Sequence, residues 1–305
     1  MDGVLVIAKP AGPTSHDVVA LVRRLSGLRR IGHGGTLDPF ASGVLPVFLG
    51  GATRLVEYHL ADQKRYRATI CFGASSTTDD LDGDLTPAEV GPGTAPLTRE
   101  AFLAALAGFL GPQLQRPPDY SAIQIGGRRA YDMARAGEAA DLAPRAVTFH
   151  ALDLLEWDEV DPSRPIAIVD IRCSAGTYVR ALARDLGAAA GTGAYLGALV
   201  RTASGPFRLE DAVTLEALRE AAASGPEGLR PVLLPPDAGL EAIPSVALSE
   251  AEIADATQGR FVRPVAGIGT AEDGATVRLV GSDGRIVGMA RRDGRRIAPQ
   301  KILRR

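Results

Sequence analysis

Residues 32–50 read GHGGTLDPFASGVLPVFLG: a stretch with four glycines and a single carboxylate, Asp38, runs directly into an apolar segment. Upstream, GVLVIAKP at 3–10 has the continuous apolar character of a buried strand and is followed by the turn AGPT. Thr14 with Asp17 three residues on announces a helix, which Val18, Val19, Leu21, Val22 and Leu25 continue at helical spacing. The glycine-rich stretch therefore follows a helix and precedes the strand VLPVFLG, and Asp38 falls on the loop between them. An Asp before a Pro is first of all a turn former. The glycines allow a backbone to approach a ligand or another strand closely.

Downstream, KRYRATICFG (64–73) alternates, with Tyr66, Ala68, Ile70 and Phe72 on one side and Arg65, Arg67, Thr69 and Cys71 on the other, as a half-buried strand does. A helix carrying Phe102, Leu103, Leu106 and Leu110 follows, then the turn-rich QRPPDYSA. AVTFHALDLLEW and PIAIVDIRCSAG read as strands, and TYVRALARDLGAAAG as a helix ending at Gly191. Strands and helices mix without a βαβ rhythm, which predicts an α+β fold: a mixed, mostly antiparallel sheet with flanking helices. Residues 224–245, SGPEGLRPVLLPPDAGLEAIPS, are dense in Pro and Gly and mark a domain junction. Beyond it, a short helix near SEAEIADATQG and two alternating runs, ATVRLVG and RIVGMARR, joined through SDG, predict a small β-rich domain with a hairpin.

At 305 residues and 46% apolar, the chain can bury a large core and form two unequal domains. Its net charge of -2 and pI near 6.1 advertise no polyanionic partner globally. Local basic clusters exist at Arg23, Arg24, Arg29 and Arg30, and at Arg295, Arg296, Lys301, Arg304 and Arg305; they suit a clamp on phosphates or are ordinary solvated faces. Cys71 and Cys173, lacking disulfide or zinc spacing, read as buried thiols in a reducing compartment. The N-terminus lacks the features of a signal peptide and no apolar run reaches membrane-spanning length, so the expectation is a cytoplasmic protein with no membrane contact. A phosphate loop or dinucleotide fingerprint is missing, no GxSxG elbow occurs, and His16, His33, His59 and His150 are scattered, so no metal and no cofactor is expected. DDLDGD at 79–84 is acidic enough to suggest calcium but reads as an acidic turn.

GHGGTLDPFASGVLPVFLG closely resembles the GH-x-GTLDP-x-A-x-GVLP motif of the bacterial TruB family of tRNA pseudouridine synthases. KPAGPTSHDVV, KRYRA, PPDYSA followed by GRRAYDMARAGE, CSAGTYVRALARDLG and RTASGPF followed by LEDA resemble the same family in order and spacing, covering roughly residues 3–215. Gly34 departs from a usual Thr, Gln124 from a frequent Lys, and Val200 interrupts a common Leu-Arg-Arg; these are contact-type positions, where details of substrate grip can differ.

The resemblance implies a pseudouridine synthase catalytic domain over 1–235, a PUA-like RNA-binding domain over 236–305, and isomerisation of uridine to pseudouridine at position 55 in the T loop of tRNA. It makes Asp38 the essential carboxylate and Arg180 the partner that keeps it ionised. It makes Tyr66 the residue that stacks on the target base, a position that plain core packing would also explain. By the same resemblance His33 is the wedge that fills the gap left by a flipped base, and Leu199 is a wall of the uracil pocket or simply core. Lys9 and Lys64 are candidates for phosphate contact. The expected partner is the T arm of tRNA, with no obligatory protein partner and a monomeric chain. A tRNA-folding chaperone, a subunit of a guide-RNA particle and a nucleoside hydrolase are the competing readings.

Overall fold

The computed structural model describes residues 1–60, 62–88, 96–121, 123–138 and 141–303. Arg304 and Arg305 of the basic C-terminus, and Ala122 of the PPDYSA motif, lie outside them. The leading segment forms β1 (Gly3–Lys9) and then α1 (Ser15–Ser26). Thr14 and Asp17 make a reciprocal capping box at its start, and Gly27, left-handed at φ 68°, closes its end. A short β2 (Ile31–His33), β3 (Ser42–Leu49) and β4 (Lys64–Phe72) follow. After α2 (Arg99–Ala107) come β5 (Gly111–Gln115), β6 (Arg145–Asp158), β7 (Ile166–Cys173), α3 (Val179–Ala190), β8 (Ala194–Ser204), β9 (Phe207–Arg208), β10 (Val213–Thr214) and α4 (Leu215–Ala221).

These strands build one ten-stranded sheet in the order β10-β1-β3-β8-β4-β7-β6-β5, with β2 on β3 and β9 on β8. Only β10/β1 and β3/β8 run parallel, so the sheet is mixed and mostly antiparallel as expected. The alternation of β4 sets its faces: Tyr66, Ala68, Ile70 and Phe72 pack with Phe102 of α2 and with Val179, Leu182 and Leu186 of α3. Phe72, Phe102 and Trp157 form a ring cluster with centroids 5.2–6.3 Å apart; a fully buried ring of this kind stabilises by about 1.5–3 kcal/mol. Leu5 and Ile7 of β1 pack against α1 and α4 on the same principle.

Several expectations need correction. The second helix stops at Ala107, and Leu110 is 55% exposed, because the chain turns at Gly108 to enter β5 at Gly111. Cys173 is buried, but Cys71 is only half-buried, on the more open side of β4 that also carries Arg65 and Arg67. The junction reading of the Pro/Gly-rich segment is not among these corrections; within it, residues Pro226–Val232 form a 3-10 helix with Leu229 in the α1/α4 core, and Leu234 pairs with Val4.

The C-terminal sheet runs β11 (Ser245–Ala247), β12 (Thr276–Val280), β13 (Ile286–Asp293), β14 (Arg296–Ile302), with α5 (Glu250–Thr257) against it. The β12/β13 hairpin through SDG and the helix are as expected; the flanking strands β11 and β14 were not legible. Leu55 and Leu240 meet Ile286 and Met289 where this sheet docks on the larger one, and Lys301 pairs with Glu57 at 3.2 Å. Arg296 pairs likewise with Asp293 at 2.9 Å, and Arg295 and Arg296 are exposed. Among the described residues no helix is long and apolar enough to cross a membrane.

Candidate active site

The loop between β2 and β3 is fixed from beneath by three side chains. Ser15, in the first turn of α1, accepts from the Leu37 N–H at 2.9 Å and donates to its carbonyl at 3.0 Å, which pins the residue before Asp38. Arg201, on β8 and 1% exposed, donates Nε to the Val44 carbonyl (2.7 Å), Nη1 to Thr36 (3.2 Å) and Nη2 to Gly35 (3.0 Å). Lys9, at the end of β1 and also 1% exposed, donates to the carbonyls of Pro10, Pro39 and Ala41. Gly43 has φ +112°, and a Cβ there would fall 2.2 Å from the Arg201 carbonyl, so the parallel start of β3 against β8 admits only glycine. Lys9 is therefore corrected from phosphate contact to loop support: its ammonium is buried and already shared among carbonyls. Burial lowers its pKa to about 8, partly opposed by nearby Asp38.

On this platform Asp38 holds Oδ2 3.0 Å from Arg180 Nε, with its own side chain 37% exposed. Arg180 lies in the first turn of α3. Its Nη1 donates to the Thr78 carbonyl (3.1 Å) and faces Asp80 Oδ2 at 3.4 Å, and its Nη2 donates to the Tyr120 carbonyl (2.9 Å). A guanidinium with its fork fully engaged cannot swing, so it fixes the carboxylate it holds. The ion pair expected from sequence forms, but the net effect on Asp38 goes the other way. Burial raises its pKa above the ordinary carboxylate value, Arg180 and Lys9 pull it down, and Asp80 pushes it up further.

Asp38 opens into a cavity of about 470 Å³, large enough for a nucleoside, whose walls include Tyr66, Leu199, Lys64 and Tyr178. Tyr66 is buried, with its phenol pKa raised by that burial. Lys64 is buried at the start of β4, its Nζ 3.5 Å from the His59 carbonyl, and burial lowers its pKa to about 8. Among the described residues Asp38 is the one carboxylate in the cavity wall. His33 ends β2 immediately before the wall begins at Gly34. It is half-buried, its Nδ1 has no partner, and burial, then His16 and Arg201, lower its pKa.

The structure thus brings together Asp38, Arg180, Tyr66, Leu199 and Lys64, sets His33 beside them, and withdraws Lys9. Sequence reasoning passed over Arg201 and Asp80. The first stood in the quoted RTASGPF; the second stood in the acidic run, which is a turn whose Asp79 and Asp80 face arginines.

Comparison with known proteins agrees with this architecture. A family model described as TruB family pseudouridylate synthase (N terminal domain) matches residues 23–179. Models described as tRNA pseudouridylate synthase B C-terminal domain and Pseudouridine synthase II TruB, C-terminal, match 180–241 and 244–303. The chain is 46% identical over 264 residues to the tRNA pseudouridine synthase B of Bradyrhizobium diazoefficiens, covering 85% of this chain and 74% of that one. To the protein of the same name from Parasynechococcus marenigrum it is 42% identical over 302 residues, covering 99% and 97%. Among solved structures, a Cbf5-Nop10-Gar1 complex is similar at a TM-score of 0.73 and 27% identity, and an H/ACA RNP bound to a substrate RNA containing 2'-deoxyuridine at 0.74 and 25%. Each of these two matches covers 99% of this chain and 85% of the other.

Proposed function

The chain belongs to the TruB family of pseudouridylate synthases, and from that premise we propose that it isomerises uridine to pseudouridine in tRNA, at position 55 of the T loop. The reaction breaks the bond from ribose C1′ to uracil N1 and joins C1′ to C5. The C5 proton leaves and N1 gains one, so no electrons are exchanged. Cleavage puts positive character on the sugar, which a carboxylate stabilises, attacks at C1′, or relieves by taking a ribose proton. Each route needs one ionised carboxylate held still. That Asp38 is the one carboxylate in the cavity wall among the described residues carries this reading, since a glycosidase needs a second carboxylic acid for its leaving group.

Arg180 holds Asp38 in place, and the raised pKa adds to the driving force. A carboxylate poorly stabilised in the empty site gains more from a cation that develops beside it. Tyr66 stacks on the uracil and takes the C5 proton, and Leu199 closes the pocket. His33 fills the gap left by the flipped base with its planar ring. Residues 1–235 form the catalytic unit, and 236–305 a PUA-like unit that adds RNA contacts. The chain works as a cytoplasmic monomer without an obligatory protein partner.

A T-arm stem-loop carrying tritium at C5 of its uridines tests this. Release by the protein alone, without guide RNA or partner proteins, is expected. Free uracil as product would make it a hydrolase. Binding without release would leave the chaperone or the guide-dependent reading, the latter favoured by the likeness to H/ACA particles.

Lys64 supplies a pH test of substrate grip. With its pKa near 8, it is charged at pH 7 and neutral at pH 9, so its attraction for a phosphate is lost as pH rises through 8. The dissociation constant for the stem-loop is expected to rise severalfold between those pH values. In Lys64→Met the rise should be smaller; an undiminished one would remove Lys64 from phosphate contact.

A further inference from the structure

Arg184 follows Arg180 by one turn of α3, and the two side chains face the same pair of loops. Arg180 ties the turn at 77–80 to the Tyr120 carbonyl. Arg184 repeats the tie one step further out: its Nη1 meets Asp79 Oδ2 at 2.9 Å, and its Nη2 donates to the Arg116 carbonyl at 2.8 Å. Its Nε is held by Asp185 at 2.9 Å. Arg184, Asp79 and Arg116 are all absent from the cavity wall.

The backbone between the two acids shows what the outer tie does. Asp79 has φ 61°, alone among the described non-glycine residues in the left-handed region. That conformation has a cost even for Asp, of order 1 kcal/mol, and persists where surrounding contacts hold it. It turns consecutive residues so that Asp79 meets Arg184 while Asp80 meets Arg180. Burial raises the Asp79 pKa, and Arg184 is the foremost influence opposing it.

We infer that Arg184 is a positioning residue: by holding Asp79 and the Arg116 carbonyl it fixes both loops that cradle Arg180, and so sets how Arg180 meets Asp38. The effect on catalysis rests on the function proposed above; the effect on Asp38 does not. The groups facing Asp38 are Arg180, Asp80, Lys9, Tyr66 and Tyr178. Arg184→Gln alters none of them but removes a positive charge, which by itself raises a carboxylate pKa; Arg184→Lys keeps that charge and Asp79→Asn removes a negative one, whose direct effect is a lowering, so a rise in those two reports the placement of Arg180.

The first measurement is carboxyl carbon-13 titration of Asp38 in the RNA-free protein. In Arg184→Gln and in Asp79→Asn, which tolerates the left-handed backbone, the Asp38 pKa is expected to rise above that of wild type, with Arg184→Lys between. An unchanged Asp38 pKa in the folded variants overturns the inference, whatever the activity. In turnover, Arg184→Gln should lower kcat about tenfold with KM for the stem-loop within about twofold. The acid limb of kcat should move to higher pH, and adding Asp79→Asn should cost little more. A kcat loss without that limb shift, additive with Asp79→Asn, would reduce Arg184 to a structural contact. Inactive wild type with a shifted Asp38 would sink the proposed function and leave this inference standing.

Discussion

Asp38→Asn is expected to lower pseudouridine formation by at least roughly a thousandfold while leaving the protein as stable as wild type, or slightly more so. The first half follows from the cavity, whose wall among the described residues offers no second carboxylate to take over the work at the ribose. The second half follows from the direction of the Asp38 pKa. Burial raises it despite the Arg180 contact, so the folded state holds the Asp38 proton more tightly than the unfolded chain does. Ionising Asp38 therefore costs stability: the penalty is absent below the unfolded pKa, grows as pH rises through the interval up to the folded pKa, and is complete above it. Asn carries no such charge, and its amide oxygen can still accept from Arg180 Nε. Arg180 also keeps Asp80, Thr78 and Tyr120 as partners. Tritium release and thermal unfolding at pH 7 and pH 3 test both halves. The variant should match or exceed the wild-type melting temperature at pH 7, and any gain should shrink at pH 3. Turnover within tenfold of wild type would take Asp38 out of the reaction. A variant several degrees less stable at pH 7 would mean that the ion pair with Arg180 outweighs burial.

What could be read from the chain beforehand divides along a physical line. The capping box at Thr14 and Asp17, the two-residue alternation of β4 and the Gly191 stop of α3 are local, and the structure repeats each of them. Asp38 and Arg180 were paired through the resemblance, although 142 positions apart, and they meet. What was not legible depends on register. Lys9 shares the face of β1 that carries Leu5 and Ile7, so strand parity sends its ammonium inward. A lysine next to a turn suggests solvent, and only the carbonyls of the Asp38 loop, some thirty residues on, show otherwise. Asp79 and Asp80 look like a solvated run because their partners lie on a helix a hundred positions away.

Arg201→Met is expected to cost both stability and turnover, and it concerns a residue whose role no local pattern announced. In ALVRTAS it reads as one polar residue in a strand, yet it is 1% exposed and spans three carbonyls on two sides of the Asp38 loop. Met fills comparable apolar volume but donates nothing, so the Gly35, Thr36 and Val44 carbonyls lose their shared donor. Leaving a buried acceptor without its donor costs about 1–3 kcal/mol, so the three carbonyls together imply a fall in melting temperature on the order of 10 °C for a chain of this size. Because Thr36 lies two residues before Asp38, the loss should also let the carboxylate drift, and kcat should fall roughly tenfold to a hundredfold beyond any unfolded fraction. Arg201→Lys should recover part of the stability and less of the activity, since one ammonium cannot reach all three carbonyls in the plane that a guanidinium spans. Thermal unfolding and single-turnover rates measured well below each melting temperature separate the two effects. A variant with normal turnover per folded molecule would confine Arg201 to the core, and the Asp38 loop would then rest on Ser15 and Lys9, with Arg180 holding the carboxylate itself.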